Sequence, residues 1–260
     1  MPNILSNKVL VSISHAGIAC PPEISPSMLS HHQQTLAEGN IDWYTDHLYN
    51  FQDLLGNSQV VFPYSQVYIN VNRHPDTLDE SVPLSLDGLP VYETGLEPSL
   101  KQRQLMIKRH LEFHRTIANH EKTFILDGHS TVTGHQDAAG IQALDDIILS
   151  DWQKSVLDPP DGIHTAPPGY LETYAEELER RLIGFNLRIT KNTTYSSTYG
   201  HIMATHGWNG KSEKESRVPL LLQETNEALY VKNGIPDVRL IEELRRIFSE
   251  AIATMLEKLQ

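Results

Sequence analysis

Residues 8–17 read KVLVSISHAG, and the fold is decided there. Val9, Val11 and Ile13 are β-branched, the run is short, and polar or small residues flank it. A buried strand is therefore predicted over residues 8–14. It stops at Ser14-His15-Ala16-Gly17, with Pro21 and Pro22 just beyond. The strand thus delivers an imidazole, that of His15, to its carboxyl end.

Outward from this stretch the pattern recurs. Strands are predicted over residues 59–62 and 66–71, the second running into Asn72-Arg73-His74-Pro75. Residues 123–126 (TFIL) predict a strand that opens onto Asp127-Gly128-His129-Ser130, and residues 186–190 predict another. Leu220-Leu221-Leu222-Gln223 predicts a last strand, running into Glu224. Between these lie helical patterns. Residues 42–55 (DWYTDHLYNFQDLL) carry Trp43, Leu48, Phe51, Leu54 and Leu55 at helical spacing, with Gly56 as the stop. Helices are also predicted over residues 99–120, with Lys101, Arg103, Lys108 and Arg109 as a basic face, and over 171–182. Residues 237–259 close the chain as an amphipathic helix with Asp237 as N-cap. Residues 76–98, rich in Pro, Gly and Asp, read as a long surface loop. Residues 200–216, polar and Gly-rich with a Lys/Glu run, read as a mobile one. Strands alternating with helices imply an α/β fold with helices on both faces of a sheet. No repeat, low-complexity tract or linker interrupts residues 1–260, so one domain is expected.

Composition bounds the function. An apolar share of 39% and a charged share of 21% fit a soluble globular protein of 260 residues. A formal net charge of -12, spread along the chain, argues against nucleic acid as partner. The single cysteine, Cys20, rules out an intramolecular disulfide and a Cys-based zinc site. No window approaches the roughly 18 uncharged apolar residues of a membrane span, and residues 1–8 show no secretory pattern. A cytoplasmic, membrane-free setting is expected, with oligomeric state left open. Thirteen histidines keep metal binding in play.

In open α/β sheets, ligands bind beyond the carboxyl ends of the strands. Four predicted strands finish there in His15, Arg73, His129 and Glu224. A catalytic zinc takes three His or Asp/Glu ligands and keeps a fourth position open. His15 and His129 are candidate ligands; each also serves simply as a polar strand cap. Asp42 and Asp46, four apart, share one face of the predicted helix and are both candidates for the third. Asp42 is otherwise an N-cap, and Asp46 a solvated acid. Glu224 can move a proton between an attacking water and a departing nitrogen; otherwise it is a helix-start acid. Arg73 can grip a carboxylate with two parallel hydrogen bonds, or join an ordinary ion pair. Asp127 can orient the His129 imidazole, or be a turn acid.

Six ordered segments carry a resemblance. VLVSISHAG, DWYTDHLYNF, INVNRHP, EFHRTI, LDGHS and QETNEALY resemble, in this order, motifs of the N-formylglutamate amidohydrolases. The likeness runs from Val9 to about Tyr230. It implies a fold related to the zinc carboxypeptidases, a phosphorylase/hydrolase-like α/β architecture with a central mixed sheet. It implies Zn2+ as cofactor, held by His15, His129 and one acid, with Glu224 in catalysis. An acid followed by Trp at a helix start holds the metal in the wider group, which favours Asp42-Trp43 over Asp46. Asn72 and Arg73 correspond to the pair that holds a substrate carboxylate, and EFHRTI places His114 near the site. The implied reaction is hydrolysis of N-formyl-L-glutamate, or of a similar small acidic amide, to an acid and an amine. Alternatives are a metallocarboxypeptidase-like hydrolase of another N-acyl amino acid or a peptide, and an inactive relative that binds a small acid. The chain departs from the family at YGHIMATHGW, which has no Arg where the family carries an Arg-His pair. His206, or His201, stands there instead. Ser14 replaces a common Pro, and His74 is inserted before Pro75.

Overall fold

The computed structural model describes residues 8–131, 146–153, 163–192, 200–209 and 217–259. In chain order the first part holds β1 (Val9–Ile13), α1 (Gln33–Gly39), α2 (Thr45–Leu48), α3 (Gln52–Leu55) and β2 (Ser58–Val61). It continues with α4 (Leu78–Ser81), β3 (Ser85–Leu86), β4 (Leu89–Pro90), α5 (Leu100–Asn119) and β5 (Phe124–Thr131). Then come β6 (Ile147–Ser150), β7 (Trp152–Gln153), β8 (Ile163–His164), α6 (Tyr170–Arg181), β9 (Ile189–Lys191) and α7 (His201–His206). The chain closes with β10 (Leu220–Asn226), β11 (Val231–Lys232), β12 (Ile235–Pro236) and α8 (Val238–Lys258).

Six strands form the central sheet in the order β2-β1-β5-β10-β6-β9. The first four are parallel; β6 runs antiparallel to β10, and β9 is parallel to β6. Side chains alternate across this sheet and sort into two cores. Val9, Val11, Ile13, Phe124, Leu126 and Leu221 pack with Leu171, Tyr174 and Leu178 of α6 and Phe248 and Ile252 of α8. Leu10, Ile125, Leu220 and Leu222 pack on the opposite face with Met106, Phe113 and Ile117 of α5 and Ile202 and Met203 of α7. The expected α/β architecture with a mixed sheet and helices on both faces is thus present.

The same alternation places the polar residues. Asp127 and His129 follow Ile125 at steps of two, and Glu224 follows Leu222, so all three stand on the α5 side. Glu224 is the register partner of His129 on the neighbouring strand.

Several local expectations are corrected. Residues 42–55 do not form one helix. Tyr44 sits in the left-handed region at φ 60°, and the chain breaks again at Asn50 and Phe51, where the Asn50 Oδ1 accepts the Gln52 N–H at the start of α3. Asp42 therefore precedes α2 and shares no helical face with Asp46. Residues 66–71 form no strand. Turns close on Ser65, and Val67, Tyr68, Ile69 and Val71 are all buried, which removes the alternation of a half-exposed strand. Residues 76–98 hold α4 and the β3–β4 hairpin. Within 200–216, residues 201–206 form α7, fixed by buried Ile202 and Met203; residues 210–216 lie outside the description. Nor is there a continuous basic face on α5. Arg103 turns inward to Asp79 (2.6 Å) and the Leu78 and Val82 carbonyls, and Arg109 forks onto Glu23. β6 had no predicted counterpart; its four residues are all buried beside β10.

Candidate active site

His15 lies just past the end of β1, and its backbone carbonyl accepts the Asp42 N–H at 3.1 Å. Asp42 and His15 are thereby tied together before their side chains meet. Tyr44 in its left-handed conformation and the Thr45 hydroxyl, which donates to the Asp42 carbonyl at 2.8 Å, complete the tight turn that aims the carboxylate inward.

The Asp42 Oδ2 lies 3.1 Å from His129 Nδ1 and 3.7 Å from His15 Nδ1. The two rings meet edge to face, 5.0 Å between centroids. One donor atom from each of His15, Asp42 and His129 lies within 4.8 Å of the other two. Asp46 takes no part: its carboxylate is half-exposed and nearest His47 at 3.9 Å.

Proton positions follow from the partners. Asn70 Oδ1 accepts the Asn72 backbone N–H at 3.0 Å, which fixes its amide orientation, so His15 Nε2, 3.2 Å away, must donate to it. Burial then keeps His15 neutral, holding its pKa down at about 4. Its Nδ1 lone pair consequently faces a carboxylate oxygen across 3.7 Å with no proton between them. Two acceptors so placed repel, and a cation between them removes the conflict. His129 Nε2 lies 3.2 Å from Asp127 Oδ2, so His129 too directs Nδ1 toward Asp42. Burial opposes charge on His129, but the Asp127, Asp42 and Glu224 carboxylates outweigh it and lift its pKa well above the ordinary value, so without an ion its Nδ1–H donates to Asp42 and a bound cation would take that proton's place. Two imidazoles and a carboxylate, with second nitrogens anchored, match the donor set of a divalent metal centre. The residues present fit such an ion.

Glu224, 8% exposed, stands beside His129 in the sheet. Burial, with Asp42 and Asp127 adding to it, pushes its pKa up to about 8 against the pull of His129. Below the sheet a buried network holds both strand ends. The Tyr49 hydroxyl lies 2.9 Å from the His129 carbonyl, 3.2 Å from the Gln223 carbonyl and 2.8 Å from the Thr225 hydroxyl, while Tyr174 donates to Gln223 Oε1 at 2.6 Å.

Arg73 is partly buried and donates to the Asn72 carbonyl at 3.1 Å. Among the described residues no carboxylate lies within salt-bridge distance of it. Asn72 is occupied structurally: its carbonyl accepts the His201 N–H and its Oδ1 the Ile202 N–H, pinning the start of α7. His114 and His206 form a second group, with His114 Nδ1 3.0 Å from His206 Nε2. Burial first, with neighbouring histidines for His114 and Lys122 for His206, lowers them to about 2 and about 4, so both are neutral.

Sequence reasoning missed three contributors. Asn70, which orients His15, sat inside a supposed strand. Tyr49 supports His129 from the far face. Glu227 is a further acid near Asp42, raised to about 7 by burial and by the Asp42 charge. Its place beside Glu224 in QETNEALY was the available signal.

The sheet and the donor set at its carboxyl edge define an α/β protein with a candidate metal centre. The chain belongs to the N-formylglutamate amidohydrolase family, whose sequence model matches residues 7–231. It is 28% identical over 139 residues to the N-formylglutamate deformylase of Pseudomonas aeruginosa, covering 45% of this chain and 48% of that protein. To the Pseudomonas putida N-formylglutamate deformylase it is 30% identical over 112 residues, 40% of this chain and 39% of that one. The chain thus spans about half the length, or less, of these relatives. The crystal structure of N-formylglutamate amidohydrolase from Ralstonia eutropha JMP134 superposes with a TM-score of 0.70 at 17% identity, over 99% of this chain and 96% of that one. An Agrobacterium tumefaciens gene product gives 0.63 at 14% identity, over 97% and 92%. These structural likenesses concern the fold.

Proposed function

We propose that this protein is a metal-dependent amidohydrolase that cleaves the acyl amide of N-formyl-L-glutamate or a similar small N-acyl amino acid. The single observation that supports the reading most is the opposition of the His15 Nδ1 lone pair and the Asp42 carboxylate beside His129. His15, Asp42 and His129 would hold the ion, Zn2+ being the first choice for such a set. When bound, such an ion supplies Lewis-acid polarisation of the amide carbonyl and acidifies water.

The chain's own residues supply the rest. Asp127 and Asn70 keep the two imidazoles in one tautomer and one orientation. Glu224 takes a proton from the attacking water as its oxygen bonds to the acyl carbon. It returns that proton to the nitrogen as the C–N bond breaks, releasing acid and amine. Its raised pKa suits transfer in both directions near neutral pH. Arg73, with no carboxylate within salt-bridge distance among the described residues, offers its guanidinium to the substrate carboxylate.

Glu224→Gln tests the assignment. Metal content should be unchanged while kcat falls by about 10²–10⁴. A variant that keeps full activity overturns the role of Glu224. A second reading has its own support: no Arg stands within residues 200–209, His201 and His206 are neutral, and the nearby Arg217 already donates to the Ala204 carbonyl. This favours an N-acyl amino acid with a single carboxylate over one with two. Rates on N-formyl-glutamate, N-formyl-methionine, N-acetyl amino acids and dipeptides separate the two readings.

A further inference from the structure

We propose that His110, His114 and His201 form a second binding site for a divalent transition-metal ion, distinct from the His15–Asp42–His129 set. His110 and His114 stand four residues apart on α5, so their rings project from one face, 4.7 Å between centroids. His201, the first residue of α7, brings its ring to 4.6 Å from His114 and 5.5 Å from His110. One donor nitrogen from each of the three lies within 4.8 Å of the others. In a tetrahedral site with metal–nitrogen bonds of about 2.1 Å the nitrogens stand roughly 3.4 Å apart. Binding therefore asks only for a modest inward shift of the rings.

Tautomers are fixed here by backbone carbonyls, which can only accept. His110 Nε2 donates to the Arg73 carbonyl at 2.9 Å and His114 Nε2 to the Val71 carbonyl at 2.8 Å. Each neutral ring is left with a lone pair on Nδ1. That of His114 accepts from His206 Nε2 at 3.0 Å, a bond that an incoming ion would replace. That of His110 has no partner among the described residues, although the residue is wholly buried. A buried lone pair without a donor is a cost that a ligand removes. His201 is the partly exposed member and gives access from outside.

The donor set selects the ligand class. Three neutral imidazoles without a carboxylate suit Zn2+, Co2+, Ni2+ or Cu2+ and give little hold on Mg2+ or Ca2+. Burial also keeps His114 and His201 down at about 2 and about 3, so their lone pairs stay available at neutral pH. Because no donor carries charge, a bound ion would keep both positive charges and could also hold an anion.

Tag-free protein titrated with Co2+ tests the site by stoichiometry and visible d–d absorption. Wild type should bind two ions per chain, and His110→Gln/His201→Gln one. His15→Ala/His129→Ala should still bind one, with its absorption lost when His110→Gln/His201→Gln is added. Far-UV circular dichroism checks that each variant is folded. If the double His→Gln variant does not fold, His201→Gln alone should weaken the second Co2+ by at least about tenfold. Binding that is unaltered by His110→Gln/His201→Gln, or by His201→Gln where that variant decides, overturns this proposal. If His15→Ala/His129→Ala binds as much Co2+ as wild type, the first centre fails and the second stands.

Discussion

Each imidazole at the candidate centre has its Nε2 anchored by one neighbour, Asn70 for His15 and Asp127 for His129, and those neighbours matter as much as the donors. Asp127 accepts from His129 Nε2 and is itself completely buried, with its other oxygen unpartnered among the described residues. Asp127→Asn keeps the shape but removes the acceptor charge that orients the ring and raises its basicity. Metal affinity should fall by about 10–100-fold, measured by competition with a chromogenic chelator. Unchanged affinity would reduce Asp127 to the turn acid that its position also allows. His15 and His129 were legible because each follows a short apolar run that stops abruptly. Asn70 was not, since nothing in a sequence reveals which amide accepts from which ring. The spacing of His110 and His114 was also visible, whereas the arrival of His201 beside them depends on how α7 packs.

At the level of elements, close approach replaces side-chain bulk where the site is built. A Cβ at Gly128 of β5 would sit 2.6 Å from Tyr49 Cδ2 and 3.0 Å from Ile13 Cδ1. Gly128→Ala should thus displace the Tyr49 ring whose hydroxyl reaches the His129 carbonyl. A loss of about 1–3 kcal/mol in denaturant stability is expected, together with weaker metal binding. Stability equal to wild type would show that Tyr49 yields without cost.

Helix α5 is tied to the loop after β1 by Arg109, which forks onto Glu23 at 2.8–3.1 Å. That bond lowers the Glu23 pKa below its ordinary 4.5. A depressed carboxylate contributes stability above its unfolded pKa and loses it as pH falls through the folded one. The melting temperature of wild type should therefore drop more steeply than that of Glu23→Gln below about pH 4.5. Parallel profiles would leave the pair without weight. The α5 basic residues were legible as a helix pattern, but their partners lie on other elements, so a face was inferred where two arginines turn inward.

Across the whole molecule, the α/β layering was legible because β-branched runs and 3.6-residue periods are local signals. Strand order was not, and neither was β6, whose four residues carry no turn chemistry of their own. Residues 66–71 show the converse: Val67, Tyr68, Ile69 and Val71 suit a strand but fill a core cluster from a turn. Tertiary burial overrode propensity there.

The pairing of the central strands has a kinetic consequence. β1 aligns Val9 with Phe124, and β10 aligns Leu220 with Ile125, so each junction closes a loop of about a hundred residues. Such long-range closures are slow relative to the local winding of α5 and α8. A nascent chain that has emerged only as far as α5 carries His15 and Asp42 but not the third donor. If the proposed centre takes an ion, all three of its donors exist together only after synthesis has passed β5, about halfway along the chain.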